Sequence, residues 1–329
     1  MRLKIASKEH SGFVLVVVLC MVIMLGILLF GFNYKSRAGL LAADDLRKSE
    51  QARNCARAGL NIAIAAVRNN EDLQANRKLQ NLLSGENTVS IDEGNCLIAV
   101  TEESGKLNIN LLIEKNGELN RKLIDRLLRL IDLLNRENFG DFHISYELVP
   151  SIIDWIDSDD EVTYLPFVEH ENSGAESDYY SSLTPPYRCR NNSFETTEDL
   201  LLIKGVTQQI FGCLRDFITV RGDDKININW ASKHVIQSLS ESMDPVLAQM
   251  IIDRRKIKPF GSVMELREIP GLKDGIYQAI EKTVTVSPKK KYYRVTSEGT
   301  ADGLSRTTVA ILARNMETKN VDVILYKEL

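Results

Sequence analysis

The feature that most constrains this chain is the run from Phe13 to Phe32, FVLVVVLCMVIMLGILLFGF: twenty residues without a charge, an Asn or a Gln, interrupted only by Gly26 and Gly31. As a helix it would reach about 30 Å, the thickness of a bilayer core, so it predicts a single membrane span. Before it stands MRLKIASKEHSG, whose Arg2, Lys4 and Lys8 hold that end in the cytoplasm and send the rest across, although Lys35 and Arg37 follow closely. A cleaved secretory signal has a shorter apolar region, about 7–15 residues, followed by an A-x-A type site. Neither feature is present. Instead Gly12 directly precedes Phe13, which places a cleavage point before the membrane helix rather than after it. A plain single-span anchor is the simpler alternative.

After Asn33 the chain turns polar yet keeps a helical period: Ala52, Cys55, Ala56, Gly59, Ile62, Ala63, Ala66 and Val67 fall at spacings of three and four. No breaker separates them from the span. One long helix from Phe13 to Arg68 is expected, lipid-facing at first and then packed on a globular head, with small residues that let a sheet lie close. Strand-like segments follow at 88–90 and 96–101, and others close the chain at 292–300, 306–315 and 321–326, the last as a meander. Residues 117–284 between them read as helices. The expected class is therefore α+β: a long N-terminal helix on an antiparallel sheet, with a large inserted all-α domain. The expected boundaries are a leader at 1–12, the transmembrane part at 13–32, a discontinuous α/β domain at 33–113 and 285–329, and the insert at 114–284.

The insert carries a weak internal repeat, Lys106-Leu107-Asn108-Ile109-Asn110 in one half and Lys225-Ile226-Asn227-Ile228-Asn229 in the other, each reading as a short strand with one wet face whose asparagines can bond nearby backbone. Each half also holds a similar turn between helices, around Ile203-Lys204-Gly205-Val206 and Ile269-Pro270-Gly271-Leu272. These look like helix-hairpin-helix elements, whose DNA-binding versions bring backbone amides to a phosphate. Here Thr207 and Lys273 stand where a second hairpin glycine would be, which hinders close approach. The basic run Arg254-Arg255-Lys256-Ile257-Lys258 keeps a membrane-anchored DNA receptor as the competing reading. Against it, 41 basic residues are outnumbered by 45 acidic ones, for a net charge of −4.

That balance hides one acidic segment. Residues 151–187 hold nine acids and neither Lys nor Arg. Left unpaired, such a run repels itself, so it either stays solvated or recruits cations. Asp157, Asp159, Asp160 and Glu161, followed by Glu176 and Asp178, offer hard oxygen ligands from two sides of one loop, which suits Ca²⁺, one ion or two, better than Mg²⁺. Trp155 is expected to be a core residue. A metal-dependent hydrolase lacks support: there is no Walker-type loop, no G-x-S-x-G and no cation within the segment to hold a phosphate. Cys20 lies in the span; among the others, Cys189 with Cys213 and Cys55 with Cys96 are disulfide candidates, with free thiols equally open.

The leader ending at Gly12, the apolar run from Phe13, the Asn-Ile repeats, the DWIDSDDE segment, Pro186-Tyr187-Arg188-Cys189-Arg190-Asn191 and the paired helical units resemble, over essentially the whole chain, the minor pseudopilin K family of type II secretion systems. The resemblance implies a pseudopilin fold, cleavage by a prepilin peptidase between Gly12 and Phe13, and methylation of Phe13. The fifth mature position, which carries Glu in most such proteins, is Val17 here, as suits a subunit with nothing ahead of it. Further implications are a non-enzymatic subunit at the tip of a periplasmic pseudopilus and a single-pass anchor in a Gram-negative inner membrane. The implied partners are minor pseudopilins I and J, the inner-membrane assembly platform and secreted cargo, with no nucleic acid. Calcium in the insert, carried onto Asp157, Asp159, Asp160, Glu161, Glu176 and Asp178, completes the implied properties.

Overall fold

The structure, a computed structural model, describes residues 10–69, 81–137 and 142–328. The basic residues Arg2, Lys4 and Lys8 lie outside them. Helix α1 runs unbroken over His10–Asn69. Its apolar part reaches a mean hydropathy of 3.4 with none of it buried, long and apolar enough to cross a membrane. Its second part is the spine of the head: Ala52, Cys55, Ala56, Ala63 and Val67 are all buried. The transition follows the sequence, because branched apolar side chains that suit lipid give way at Ala52 to small ones that suit close packing on a sheet.

Strands β1 (Ser84–Ile91) and β2 (Gly94–Glu102) come next, and the chain then leaves the sheet. The first half of the insert comprises β3 (Leu107–Asn108), α2 (Arg121–Glu137), α3 (Leu148–Ile156), α4 (Ser177–Ser181), a 3-10 helix (Thr197–Leu202), α5 (Gln208–Leu214) and β4 (Ile218–Thr219). The second comprises β5 (Ile226–Asn227), α6 (Lys233–Ser238), α7 (Pro245–Ile257), a 3-10 helix (Val263–Glu268), α8 (Asp274–Ile280) and β6 (Val284–Thr285). Side-chain caps set several starts: Thr207 accepts from the Ile210 N–H, Ser232 from that of Val235, and Asp244 from that of Leu247 ahead of Pro245.

The chain returns to the sheet as β7 (Lys290–Ala301), β8 (Leu304–Asn315) and β9 (Val321–Glu328), giving the order β1-β2-β7-β8-β9, antiparallel throughout. Asp302 and Gly303, both at positive φ, make the tight β7–β8 turn. One face of this sheet packs on α1 through Cys96, Ile98, Tyr293, Val295, Ala310 and Leu312. Gly299 permits the close approach, since a Cβ there would overlap the Ala52 carbonyl and the Ala56 nitrogen.

Two details differ from expectation. The insert is not all-α: each half closes by pairing its first strand with its last in parallel, Leu107 and Asn108 with Ile218 and Thr219, and Ile226 and Asn227 with Val284 and Thr285. The leading helix of each hairpin is 3-10 rather than α, started in the first half by a Thr196–Asp199 capping box. Leu107, Ile109 and Leu112, expected in the sheet domain, belong to the helical core, which ends at Val284. The two units meet through polar contacts: Arg294 pairs with Glu198 and donates to the Thr197 hydroxyl at 2.9 Å, and the Asn227 N–H reaches the Ser104 carbonyl at 2.8 Å.

Candidate functional site

Within the acidic segment the chain folds back on α3. The Gly174 N–H bonds the Thr163 carbonyl at 3.0 Å, Tyr164 bridges Ser173, and the Asn172 side chain accepts from the Leu165 N–H at 2.8 Å while donating to the Val168 and His170 carbonyls. This local hairpin carries Glu176 to the end of α3. Gly174 makes room, because a Cβ there would overlap the Asp154 carboxylate. Trp155, on the same helix, is buried as expected, with its ring 5.3 Å from that of Tyr180 and 6.4 Å from that of Phe194.

Asp154, Asp157 and Glu176 converge here, each offering an oxygen within 4.8 Å of the others. Asp154 is fully buried; its Oδ1 accepts the Thr163 N–H at 2.9 Å and its Oδ2 has no partner. Oδ1 of Asp157 and Oε1 of Glu176 are likewise buried and unpartnered. Burial, and after it the neighbouring carboxylates, push Asp157 up to about 7 and Glu176 up to about 8; Asp154 is raised mainly by burial. Three acids in one pocket with three buried, unpartnered oxygens hold either protons or a cation. The donor set is all hard oxygen and so fits Ca²⁺.

Of the residues expected as ligands, the structure thus brings together Asp157 and Glu176. Asp159, Asp160, Glu161 and Asp178 are exposed and lie outside the cluster. Asp159 instead accepts the Glu161 N–H at 2.9 Å, and Asn191 donates to the Asp159 carbonyl at 3.1 Å while its own Oδ1 stays buried and unpartnered. Asp154 was missed. The available signal was its three-residue spacing from Asp157, which puts both carboxylates on one side of a helix end. All five cysteines are free in the structure. Cys189 donates to the Asp154 carbonyl at 3.2 Å, and burial raises its thiol to about 12, so it is no nucleophile at neutral pH.

The hairpin turns serve the fold. Gly205 and Gly271 supply positive φ, and Thr207 caps α5. In the basic run, Arg254 pairs with Glu265 at 3.4 Å and donates to the Lys258 carbonyl, while Arg255 donates to the carbonyls of Ile228 and Ala231 at 2.6 and 2.7 Å. Both guanidinium groups are therefore engaged within the chain, and the DNA reading gains no support.

Two family profiles, both described as type II secretion system (T2SS), protein K, match residues 105–223 and 226–287. The type II secretion system protein K of Pseudomonas aeruginosa is 24% identical over 95% of this chain and 91% of its own length. A putative type II secretion system protein K of Escherichia coli is 35% identical over 25% of this chain and 23% of its own. Among solved structures, a chain in the crystal structure of the GspK-GspI-GspJ complex from the enterotoxigenic Escherichia coli type 2 secretion system has the same fold. Its TM-score is 0.61 at 15% identity, covering 90% of this chain and 99% of that one. With profiles over more than half its length, a full-length relative and this fold, the chain belongs to the type II secretion system protein K family.

Proposed function

We propose that this protein is a non-enzymatic minor pseudopilin that sits at the tip of the type II secretion pseudopilus, starts or caps its assembly with minor pseudopilins I and J, and supports export of folded proteins. The observation that carries the reading is α1, one unbroken helix bare over its apolar half and forming the core of the head over the other. Such a helix holds a head to a membrane before assembly and packs among other helices after it. Val17 lies in the apolar half with no carboxylate to offer a subunit above, which favours an end position over propagation along a fibre. The partner assignment follows the solved complex of the structural relative. The head is assigned to the periplasm, with the leader on the cytoplasmic side.

In this reading the acidic pocket is a structural Ca²⁺ site held by Asp154, Asp157 and Glu176, where the ion would neutralise buried charge and pin the segment across α3. The deciding experiment is the intact mass of the mature chain isolated from membranes. Cleavage after Gly12 with one added methyl on Phe13 is expected, and a chain still beginning at Met1 would return it to a plain anchored domain. Val17→Glu is expected to leave tip assembly with I and J little changed; a severe secretion defect with a normally folded head would count against the tip position.

A further inference from the structure

The two halves of the helical unit can be laid on one another residue by residue. Leu148, Val149 and Ile152 are buried on α3, and Leu247, Ala248 and Ile251 are buried on α7, in the same relation to the repeated Ile152-Ile153-Asp154 and Ile251-Ile252-Asp253. The turn Ile203-Lys204-Gly205 answers Ile269-Pro270-Gly271, with Gly at positive φ in both. Glu147 therefore answers Val246, Ser151 answers Met250, and Lys204 answers Pro270.

In the first half the chain itself closes the surface between helix and turn. Lys204 pairs with Glu147 at 2.9 Å and donates to the Ser173 carbonyl; its N–H reaches the Tyr180 hydroxyl at 3.3 Å; Tyr187 donates to the Leu202 carbonyl at 2.8 Å. The second half has no counterpart of the long segment between α3 and Phe194, only the short link from α7 to Phe260. The equivalent surface is an open groove of about 530 Å³ lined by Val246, Leu247, Met250, Pro270, Lys273 and Ile276. Val246 there is 68% exposed. The ion pair has become a pair of apolar side chains, a change that costs solubility unless something covers them.

We propose that this groove is a docking site for a segment of a partner protein that presents an apolar side chain of Leu, Met or Phe size beside a carboxylate. The first half supplies the precedent, an aromatic-bearing segment seated on the matching surface. Pro270 has no N–H where Lys204 donates to the Tyr180 hydroxyl, so the occupant needs no hydroxyl and an apolar group fits best. The carboxylate answers Lys273, an exposed cation at the rim for which no ion pair occurs among the described residues; the lining also holds the Asp244 carboxylate, which accepts the Leu247 N–H at 2.7 Å and keeps its charge, so the occupant's carboxylate belongs beside Lys273.

The test places the photo-crosslinking residue p-benzoylphenylalanine at position 246 of the full chain, in membranes of cells producing the complete secretion system, and maps the adducts by mass spectrometry. The expected result is attachment to a partner protein within a segment that has an apolar residue next to Asp or Glu. Yield should fall about tenfold when Met250→Ser and Pro270→Lys install the first half's residues, and also with Lys273→Glu, a surface change that leaves the fold intact. No adduct, a yield indifferent to Lys273→Glu and to the double change, or adducts only to lipid, to a second copy of this chain or to a segment without that pairing would each overturn the proposal.

Discussion

The side-chain amide of Asn229 grips the backbone of Phe260 at both polar atoms, accepting its N–H at 2.8 Å and donating to its carbonyl at 3.0 Å, and Asn110 holds Phe194 in the same way at the same two distances. Each pair pins the strand that opens a half to the segment entering its hairpin. Asn229→Ala would leave two buried backbone groups unpaired, so a loss of roughly 1–3 kcal/mol is expected in urea denaturation of the soluble head. A loss below about 0.5 kcal/mol, the size of a neutral surface change, would show that water replaces the amide freely.

The acidic pocket makes stability depend on pH in an unusual sense. Asp157 near 7 and Glu176 near 8 bind protons more tightly folded than unfolded. Their contribution is complete below the unfolded carboxylate range near pH 4 and is lost as pH rises through the folded values. The metal-free head is therefore expected to melt at a lower temperature at pH 8 than at pH 5. Calcium should oppose this: at a hundredfold excess over its Kd it adds about 2.7 kcal/mol, felt at pH 8 and weak at pH 5, where protons hold the oxygens. Calorimetry with and without chelator at the two pH values checks both signs, and a midpoint unmoved by chelator at pH 8 would sink the site.

The ligand set can be separated by substitution. Asp154→Asn and Glu176→Gln each take a charge from the buried cluster, so each should weaken calcium at least tenfold in isothermal titration while leaving the metal-free head as stable as before or more so. Asp178→Asn and Asp160→Asn alter exposed carboxylates outside the cluster and should change affinity only slightly. Equal weakening by all four would return the ion to the wider loop.

How much was legible depended on the length of each signal. The membrane run, the small-residue face of α1 and the terminal strands span enough residues for a period to show, and they appear where expected. The Asn-Ile repeat was also readable, since its asparagines mark both strands. The strands' parallel partners at Ile218 and Val284 were not, because two-residue ladders are too short to show alternation. The site was read from the two densest acidic groups of the segment, 157–161 and 176–178, whereas folding selects by burial. Asp154, separated from the first of them by Trp155 and Ile156, goes inside with α3, while Asp159 and Asp160 stay in water beyond its end.

Two glycines should fail for different reasons when changed to Ala, and comparing them tests the packing of α1. Gly299 on β7 lies against the helix backbone, so its Cβ would have to push α1 away from the sheet across Ala52 and Ala56. Overpacking of this kind costs about 1–3 kcal/mol, and here the obstacle is backbone that no rotamer change relieves. Gly271 has open space around it but sits at φ +87°, so Gly271→Ala is penalised by conformation alone, about 1–2 kcal/mol. The two differ in place: Gly299→Ala should loosen the sheet unit, raising hydrogen exchange along β7 and the second half of α1, whereas Gly271→Ala should raise it only around α8. Exchange that rises equally in both units for Gly299→Ala would mean the helical unit shares the helix's hold on the sheet through the Arg294–Glu198 contact.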